Sequence, residues 1–245
     1  MTGGDWLEPD WPAPANVKAL VTTRNGGVSV GPYASLNLGL HVGDAPDAVT
    51  RNRALLRARL PAEPLWLDQV HGTAVADADE NTGPVRADAS IATRPRVVCA
   101  VMTADCLPVL FCNEGGTVAA ATHAGWRGLA AGVLDATLAR MGERPENVLA
   151  WLGPAIGPRA FEVGDDVRNC FVAADPLAAA AFRPAGAAGK WMGDLFMLAR
   201  LRLRKLGIER IYGGEICTYF SPDHFFSYRR DGTTGRFASV VWLSE

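Results

Sequence analysis

The sequence predicts a single mixed α/β domain, on three observations. Four apolar runs of strand length, residues 97–102, 108–111, 118–121 and 148–152, lack polar alternation, which is the pattern of strands covered on both faces. Segments with helical spacing, 47–60 and 128–141, stand among the strand candidates. No repeat of fixed period and no composition break divides the 245 residues, a length that supports one sizeable core without disulfides.

Residues 1–16 are rich in Pro, Asp and Gly and read as an irregular lead-in. A strand over 18–23 runs into Arg24-Asn25-Gly26-Gly27, where the glycines supply positive φ for a turn. Residues 31–45, with Pro32, Asn37, Gly39, His41, Gly43 and Asp44, form a long loop of the kind that carries function. Over 47–60, Val49, Leu55, Leu56 and Leu60 recur at helical spacing with arginines on the other face. After the three central strands, 128–141 places Leu129, Val133, Leu134, Leu138 and Met141 on one helical face, with Gly142 as the stop. Strand 148–152 follows, and helices open at Gly164-Asp165 and at Gly193-Asp194, where Asp194 is the N-cap. The Ala- and Pro-rich segment 174–189 reads as a surface insertion, and the basic run 200–205 as the solvated face of a helix. The last strands are expected at 216–219 and 239–243, on either side of the polar segment 227–235.

The formal charge of 24 − 26 = −2 offers no basic stripe for a nucleic-acid backbone. No run approaches the eighteen apolar residues of a membrane span, and no basic n-region precedes an apolar h-region, so neither a membrane nor a secretory route is expected. Five cysteines, an odd number with no C-x-x-C pair, point to reduced thiols in the cytoplasm rather than to a disulfide framework, a zinc ribbon or a thioredoxin-type site.

Three residues stand out chemically. Cys106 lies in Ala104-Asp105-Cys106-Leu107-Pro108, His123 in Thr122-His123-Ala124-Gly125-Trp126-Arg127-Gly128, and His71 in Asp68-Gln69-Val70-His71-Gly72. Together they form a three-ligand metal set with an open position, or a cysteine nucleophile with a histidine base. The spacings, 34 and 16 intervening residues, fit neither the zinc-deaminase H-x-E…P-C-x-x-C pattern nor helical H-E-x-x-H, and both readings stay open. Cys99 and Cys112 read as inert core thiols, and His41 and His224 as surface or core residues. Asp68 is expected to orient an imidazole, and Asp105 and Glu162 are candidate proton carriers. Arg127, beside a helix start, suits a phosphate, carboxylate or oxyanion. Arg24, Asn37, Arg53, Arg229, Arg230 and Arg236 are further groups for holding a substrate.

These segments, with Thr22-Thr23-Arg24-Asn25-Gly26-Gly27-Val28-Ser29, Ser35-Leu36-Asn37-Leu38-Gly39, Asn52-Arg53 and Ser227-Tyr228-Arg229-Arg230-Asp231-Gly232 through Arg236, resemble the YfiH-like family, also called the laccase-domain or multicopper polyphenol oxidase family. The resemblance runs in order from about residue 18 to 243. It implies one domain over 1–245 with a four-layer α/β/β/α arrangement of mixed sheets. It places the family's metal ligands on His71, Cys106 and His123, with zinc as the usual metal and copper proposed for an oxidase activity. It further implies phosphorolysis of adenosine, inosine and methylthioadenosine and deamination of adenosine, with a purine nucleoside and phosphate as partners. Bacterial members are also linked to editing of peptidoglycan precursors. The same residues leave room for a Cys106–His123 hydrolase acting on such a precursor, and for a binding protein with a closed structural metal site. A true multicopper oxidase needs many imidazole ligands, and this chain has four histidines.

Overall fold

The computed structural model describes residues 6–245, so the first five residues of the expected lead-in lie outside the described residues. Two mixed sheets stack face to face. The first has four strands in the order Val17–Val21, Phe237–Leu243, Val98–Thr103, Pro64–Leu65, antiparallel except for the last pair. The second has six in the order Arg210–Gly213, Val148–Leu152, Leu107–Asn113, Ala119–Ala124, Ala89–Ala92, Val75–Asp77, antiparallel in the middle and parallel at both ends.

The lack of alternation in the central runs has a direct cause: both faces are covered. Cys99 and Val101 of the first sheet meet Leu110, Cys112, Ala121 and Leu149 of the second between the layers. Val98, Ala100 and Met102, on the opposite face at period 2, pack with Leu56 of helix Pro46–Arg57 and with Leu36 and Leu38 of the long loop. Beyond the second sheet, Val109, Phe111 and Ala150 are covered by Leu129, Leu134, Phe171 and Leu198. These come from helices Trp126–Ala131, Val133–Met141, Asp165–Ala174 and Leu195–Lys205. The four layers are helix, sheet, sheet, helix, as the resemblance implies. Among the described residues no helix is long and apolar enough to cross a membrane, and all five cysteines are free.

Four local expectations are corrected. The helix expected over 128–141 is two helices, because Gly132 adopts φ 96°, a left-handed conformation that ends the first. The strand expected at 216–219 lies at Arg210–Gly213 instead. Gly213 and Gly214, both at positive φ, turn the chain off the sheet, and 216–219 keeps only a bridge between Cys217 and Ala155. Segment 174–189 is not wholly at the surface, since Ala178, Ala181 and Phe182 are buried in the helical-side core. Its Asp175 caps the turn Pro176–Ala181, and strand Phe182–Pro184 joins a small sheet with Lys190–Gly193 and Glu162–Gly164. The basic run 200–205 is solvated only in part: Arg202 pairs with Asp135 at 2.6 Å, and Arg200 donates to the carbonyls of Ile211 and Gly213. The Asp194 N-cap is present, accepting the Met197 N–H at 2.9 Å.

One connection positions the chemistry. The chain leaves the first sheet at Thr103, turns through Ala104-Asp105-Cys106 and enters the second sheet at Leu107. Cys106 therefore sits at the seam between the sheets.

Candidate metal centre and its cavity

His123 is the penultimate residue of strand Ala119–Ala124 and is 3% exposed. The neighbouring strand pairs Ala89 with Thr122, which sets Asp88 opposite His123. Asp88 Oδ1 lies 2.8 Å from His123 Nδ1, so Nδ1–H donates to it and Nε2 is left for the cluster. The same carboxylate, 0% exposed, accepts the N–H groups of His71 at 2.8 Å, Gly72 at 2.6 Å and Val70 at 3.3 Å. It thus fixes the turn in which His71 stands at φ 60°. Burial would raise the Asp88 carboxyl, but the bonds from His123 and the two amides outweigh it and hold it below the usual carboxylate range.

Cys106 Sγ lies 3.6 Å from His71 Nε2, and the two histidine rings meet edge to face at 4.7 Å between centroids. All three donor atoms fall within 4.8 Å of one another, the one such cluster of metal-capable side chains among the described residues. The approach depends on Gly125, where a Cβ would stand 2.7 Å from His71 Cδ2 and 3.0 Å from Cys106 Sγ. Burial alone would raise the Cys106 thiol, yet the charge of His123 and hydrogen bonds from both histidines bring it down to about 6. Burial likewise lowers His123, and the Cys106 thiolate and Asp88 more than reverse that, raising it to about 9.

The donor set fits a transition metal. Bond lengths of about 2.0 Å to nitrogen and 2.3 Å to sulfur give a tetrahedral N···S edge of about 3.5 Å. That edge matches the separation of His71 and Cys106. Two imidazoles and a thiolate, one imidazole backed by a carboxylate, leave a fourth position open.

The cluster forms one wall of a cavity of about 570 Å³. Trp126, Phe161 and Tyr228 supply aromatic surface, and Arg127, Arg229 and Arg236 bring positive charge. Arg127 is exposed, with its guanidinium 4.4 Å over the Trp126 ring, and has no hydrogen bond or ion pair to protein among the described residues. Arg229 donates to the carbonyls of Ala160 and Glu162, and Arg236 to those of Thr234 and Gly235.

Of the other candidate groups singled out in the sequence, all but Asp105 lie elsewhere. Arg24 is outside the cavity wall, donating to the carbonyls of Ala34 and Pro222 and lying over Phe226. Asn37 is fully buried: its side-chain carbonyl accepts N–H groups of Gly39 and Arg236, and its amide donates to Asp44, which fixes the long loop. Arg53 stacks on Trp66 and donates to Leu38, and Arg230 donates to the carbonyls of Thr218, Tyr219 and Phe225. Asp68 is exposed and makes no hydrogen bond with His71; Asp88 is the orienting carboxylate. Asp105, at φ 95°, lines the cavity, but both its oxygens are engaged, one by the Thr218 hydroxyl at 2.6 Å and the other by the Arg229 N–H at 2.6 Å. It ties the Cys106 turn to the 218 and 229 segments. Glu162 is exposed on the small sheet, and its carbonyl serves Arg229.

Cavity and cluster residues that the sequence reading did not pick as functional include Asp88, His41, Gln69, Thr103, Phe161 and Tyr228. Asp88 carried a faint signal, a lone acid at the edge of the small-residue run Ala87-Asp88-Ala89-Ser90. His41 lines the cavity, and burial, with Arg236 beside it, holds its imidazole below the ordinary histidine value.

A four-layer α/β/β/α fold with a His–Cys–His cluster at the sheet seam defines the class of protein. Residues 18–244 match the family model described as multi-copper polyphenol oxidoreductase laccase, and the chain belongs to that family. A Pseudomonas aeruginosa protein named purine nucleoside phosphorylase is 57% identical over 240 residues, covering 98% of this chain and 99% of its own. The Escherichia coli K12 protein named purine nucleoside phosphorylase YfiH is 58% identical, covering 97% and 98%. Among solved structures, a Neisseria meningitidis protein superposes with a TM-score of 0.95 at 55% identity over 98% of this chain and 100% of its own. YlmD from Geobacillus stearothermophilus gives 0.92 at 32% identity over 100% and 98%.

Proposed function

We propose that the chain is a zinc-dependent purine nucleoside phosphorylase, cleaving adenosine, inosine and methylthioadenosine with phosphate, and that the same site deaminates adenosine. The observation that carries this reading is the cavity itself. A volume of about 570 Å³ is within the range that encloses a small organic ligand, and its aromatic wall suits a flat base. Three guanidiniums at the same cavity suit the phosphate co-substrate. The names of the relatives at 57% and 58% identity support the reading independently.

His71, Cys106 and His123 would hold the ion. A zinc ion bound there supplies Lewis acidity at its open position. The protein's own groups do the rest. Asp88 keeps the His123 proton on Nδ1 and so keeps Nε2 a donor to the ion. Trp126 and Phe161 exclude water from the base, and Arg127 presents two-pronged donors to phosphate oxygens. Asp105 holds the backbone of Arg229 and the Cys106 turn at a fixed distance.

One observation favours a second reading. A cysteine thiol beside a buried histidine, with Asp88 behind the imidazole, is also the arrangement of a cysteine hydrolase, for which a peptidoglycan precursor is the substrate to try. Copper-dependent polyphenol oxidation has weaker support, because the described residues hold a single three-donor cluster.

Metal analysis with assays on adenosine and inosine, each with and without phosphate, separates these. About one zinc per chain and base release that requires both phosphate and metal supports the phosphorylase. Metal-free protein that is inert toward nucleosides but turns over a peptidoglycan precursor, with that turnover abolished by alkylation of Cys106, supports the hydrolase instead.

A further inference from the structure

We propose that His41 is a substrate-binding residue of this cavity, its imidazole hydrogen-bonding the 2′,3′-diol of the ribose. The inference rests on the nucleoside reading and deepens it.

His41 is fixed through its backbone and free in its side chain. It is the middle residue of the turn Leu40–Val42. The Tyr33 hydroxyl holds that turn by donating to the Val42 carbonyl at 2.8 Å, and the Asn37 amide donates to the Gly39 carbonyl at 3.2 Å. Gly43, at φ 93°, ends it. His41 lines the cavity, is exposed, and makes no side-chain hydrogen bond or ion pair to protein among the described residues. Other polar side chains of the wall are already spent. Gln69 is bonded at both ends of its amide to the Met102 backbone, and both Asp105 oxygens are engaged.

The cavity has two ends, with the His–Cys–His cluster at the seam between them. One end lies on the helical side of the second sheet, where Trp126, Ile156, Phe161 and Leu195 belong to the core beyond that sheet. Arg127 stands over the Trp126 ring and Arg229 5.9 Å over that of Phe161, so both cations are at this end. The other end belongs to the first sheet, where Met102 packs on the outer face. Arg236, which leads into strand Phe237–Leu243, lies there against the long loop: its carbonyl accepts the Leu38 N–H at 3.0 Å, and a Cβ on Gly39 would stand 2.9 Å from its Cγ. His41 follows two residues later. Partial loss of water, with the Arg236 charge beside it, holds its imidazole below the ordinary histidine value. At neutral pH it therefore offers one N–H donor and one bare nitrogen acceptor.

The two ends decide which part of the substrate meets His41. Phosphorolysis joins a phosphate oxygen to the anomeric carbon of the ribose as the bond from that carbon to the base nitrogen breaks. With the base on Trp126 and Phe161 and phosphate at Arg127, the anomeric carbon lies at the helical end, and the rest of the ribose points toward His41. Adenosine carries a 5′-hydroxyl where methylthioadenosine carries a methylthio group, whereas all three proposed nucleosides share the 2′,3′-diol. A residue that serves all three reads the diol, and a group that hydrogen-bonds a hydroxyl discriminates against the analogue lacking it.

The test compares the zinc-loaded wild type with His41→Ala, His41→Gln and Tyr228→Phe, the last because the Tyr228 hydroxyl at the same cavity is also unpaired among the described residues. The readouts are kcat/KM for adenosine, 2′-deoxyadenosine and 3′-deoxyadenosine, zinc content, melting temperature, and calorimetric binding of adenine, which has no ribose. In His41→Ala the ratio of kcat/KM for adenosine to that for one of the deoxynucleosides should fall about tenfold, because adenosine loses a hydrogen bond that the analogue never made. His41→Gln, which keeps a donor and an acceptor, should retain part of the ratio. Adenine affinity, zinc content and melting temperature should be unchanged, and His41→Leu gives the same readout should the alanine variant fail to fold. Both ratios unchanged in His41→Ala, or a ratio lost only in Tyr228→Phe, overturns the proposal while leaving the nucleoside reading intact. A matching loss of adenine affinity overturns the assignment to the ribose. A wild-type enzyme that cleaves no nucleoside overturns the nucleoside reading and this inference with it.

Discussion

Asp88 and His123 face each other across two antiparallel strands, with carboxylate oxygen and Nδ1 2.8 Å apart and both side chains closed to solvent. Because the same carboxylate also takes the backbone N–H groups of His71 and Gly72, two of the three candidate ligands depend on one residue that offers no ligand atom. Its carboxyl is held below the ordinary 3.8, so the stability it contributes is complete above that value and is lost as pH falls through its folded-state value. Asp88→Asn leaves an amide NH₂ against N–H donors and favours the wrong imidazole tautomer. The expected result is a zinc affinity lower by roughly 10- to 100-fold, measured by chelator competition. A fold destabilised by about 2 kcal/mol in urea should accompany it.

Gly125 tests the cluster without replacing a donor. Its φ of −59° and ψ of 154° are open to any residue, so Gly125→Ala carries no backbone penalty. Its Cβ would press on His71 and Cys106. Far-ultraviolet circular dichroism should match wild type while bound zinc per chain falls well below one. Full zinc loading in the alanine variant would contradict the arrangement of the three donors.

Among Cys99, Cys106 and Cys112, Cys106 is the reactive thiol in metal-free protein. It ionises at about 6, whereas burial pushes Cys99 and Cys112 up to about 12. Only the thiolate is alkylated, so the rate at Cys106 should fall as pH drops through about 6 and be near its plateau at neutral pH. His123 is the largest of the influences that lower it, and His123→Gln should move the midpoint upward toward or past the ordinary 9.0. Peptide mass spectrometry after iodoacetamide labelling across a pH series reads this residue by residue, and zinc should protect the site.

Asn52 separates scaffold from site. It is fully buried on helix Pro46–Arg57, donates to Ser29 Oγ and to the carbonyls of Ser35 and Asn37, and accepts the Val28 N–H. Asn52→Ala leaves several buried polar groups of the long loop unpaired, for an expected loss of about 2–3 kcal/mol. The folded fraction should still take up zinc, because none of those groups touches the cluster. Chemical denaturation beside metal analysis distinguishes the two effects.

The sequence made the donors legible and concealed what holds them. His71, Cys106 and His123 stood out because Cys and His are scarce and sat in glycine-punctuated segments, a property of short windows. The local sequence points to Asp68, three residues from His71, as the orienting carboxylate, but it is Asp88, thirty-five residues from His123, supplied by strand register. Register is a relation between distant segments, and one sequence does not encode it in any local pattern. The arginines divided for the same reason. Arg24 and Arg53 looked like substrate groups, yet each is committed to loop carbonyls and an aromatic ring. Layer order was readable because a strand covered on both faces leaves a continuous apolar run, whereas the break at Gly132 hid inside an intact helical pattern.

That division of the arginines is itself testable. Arg127 has no hydrogen bond or ion pair to protein among the described residues, and its guanidinium lies over Trp126 at the cavity, so little but a ligand depends on its charge. Arg127→Ala should raise the KM for phosphate about tenfold, the equivalent of one charge-assisted contact, with zinc content and melting temperature unchanged. Arg24 binds two carbonyls and covers Phe226 away from the cavity. Arg24→Ala should do the reverse, lowering the melting temperature while the folded enzyme keeps its phosphate KM. Initial-rate kinetics at varied phosphate beside thermal denaturation of both variants reads the contrast, and a phosphate defect confined to Arg24→Ala would reverse the roles drawn from the geometry.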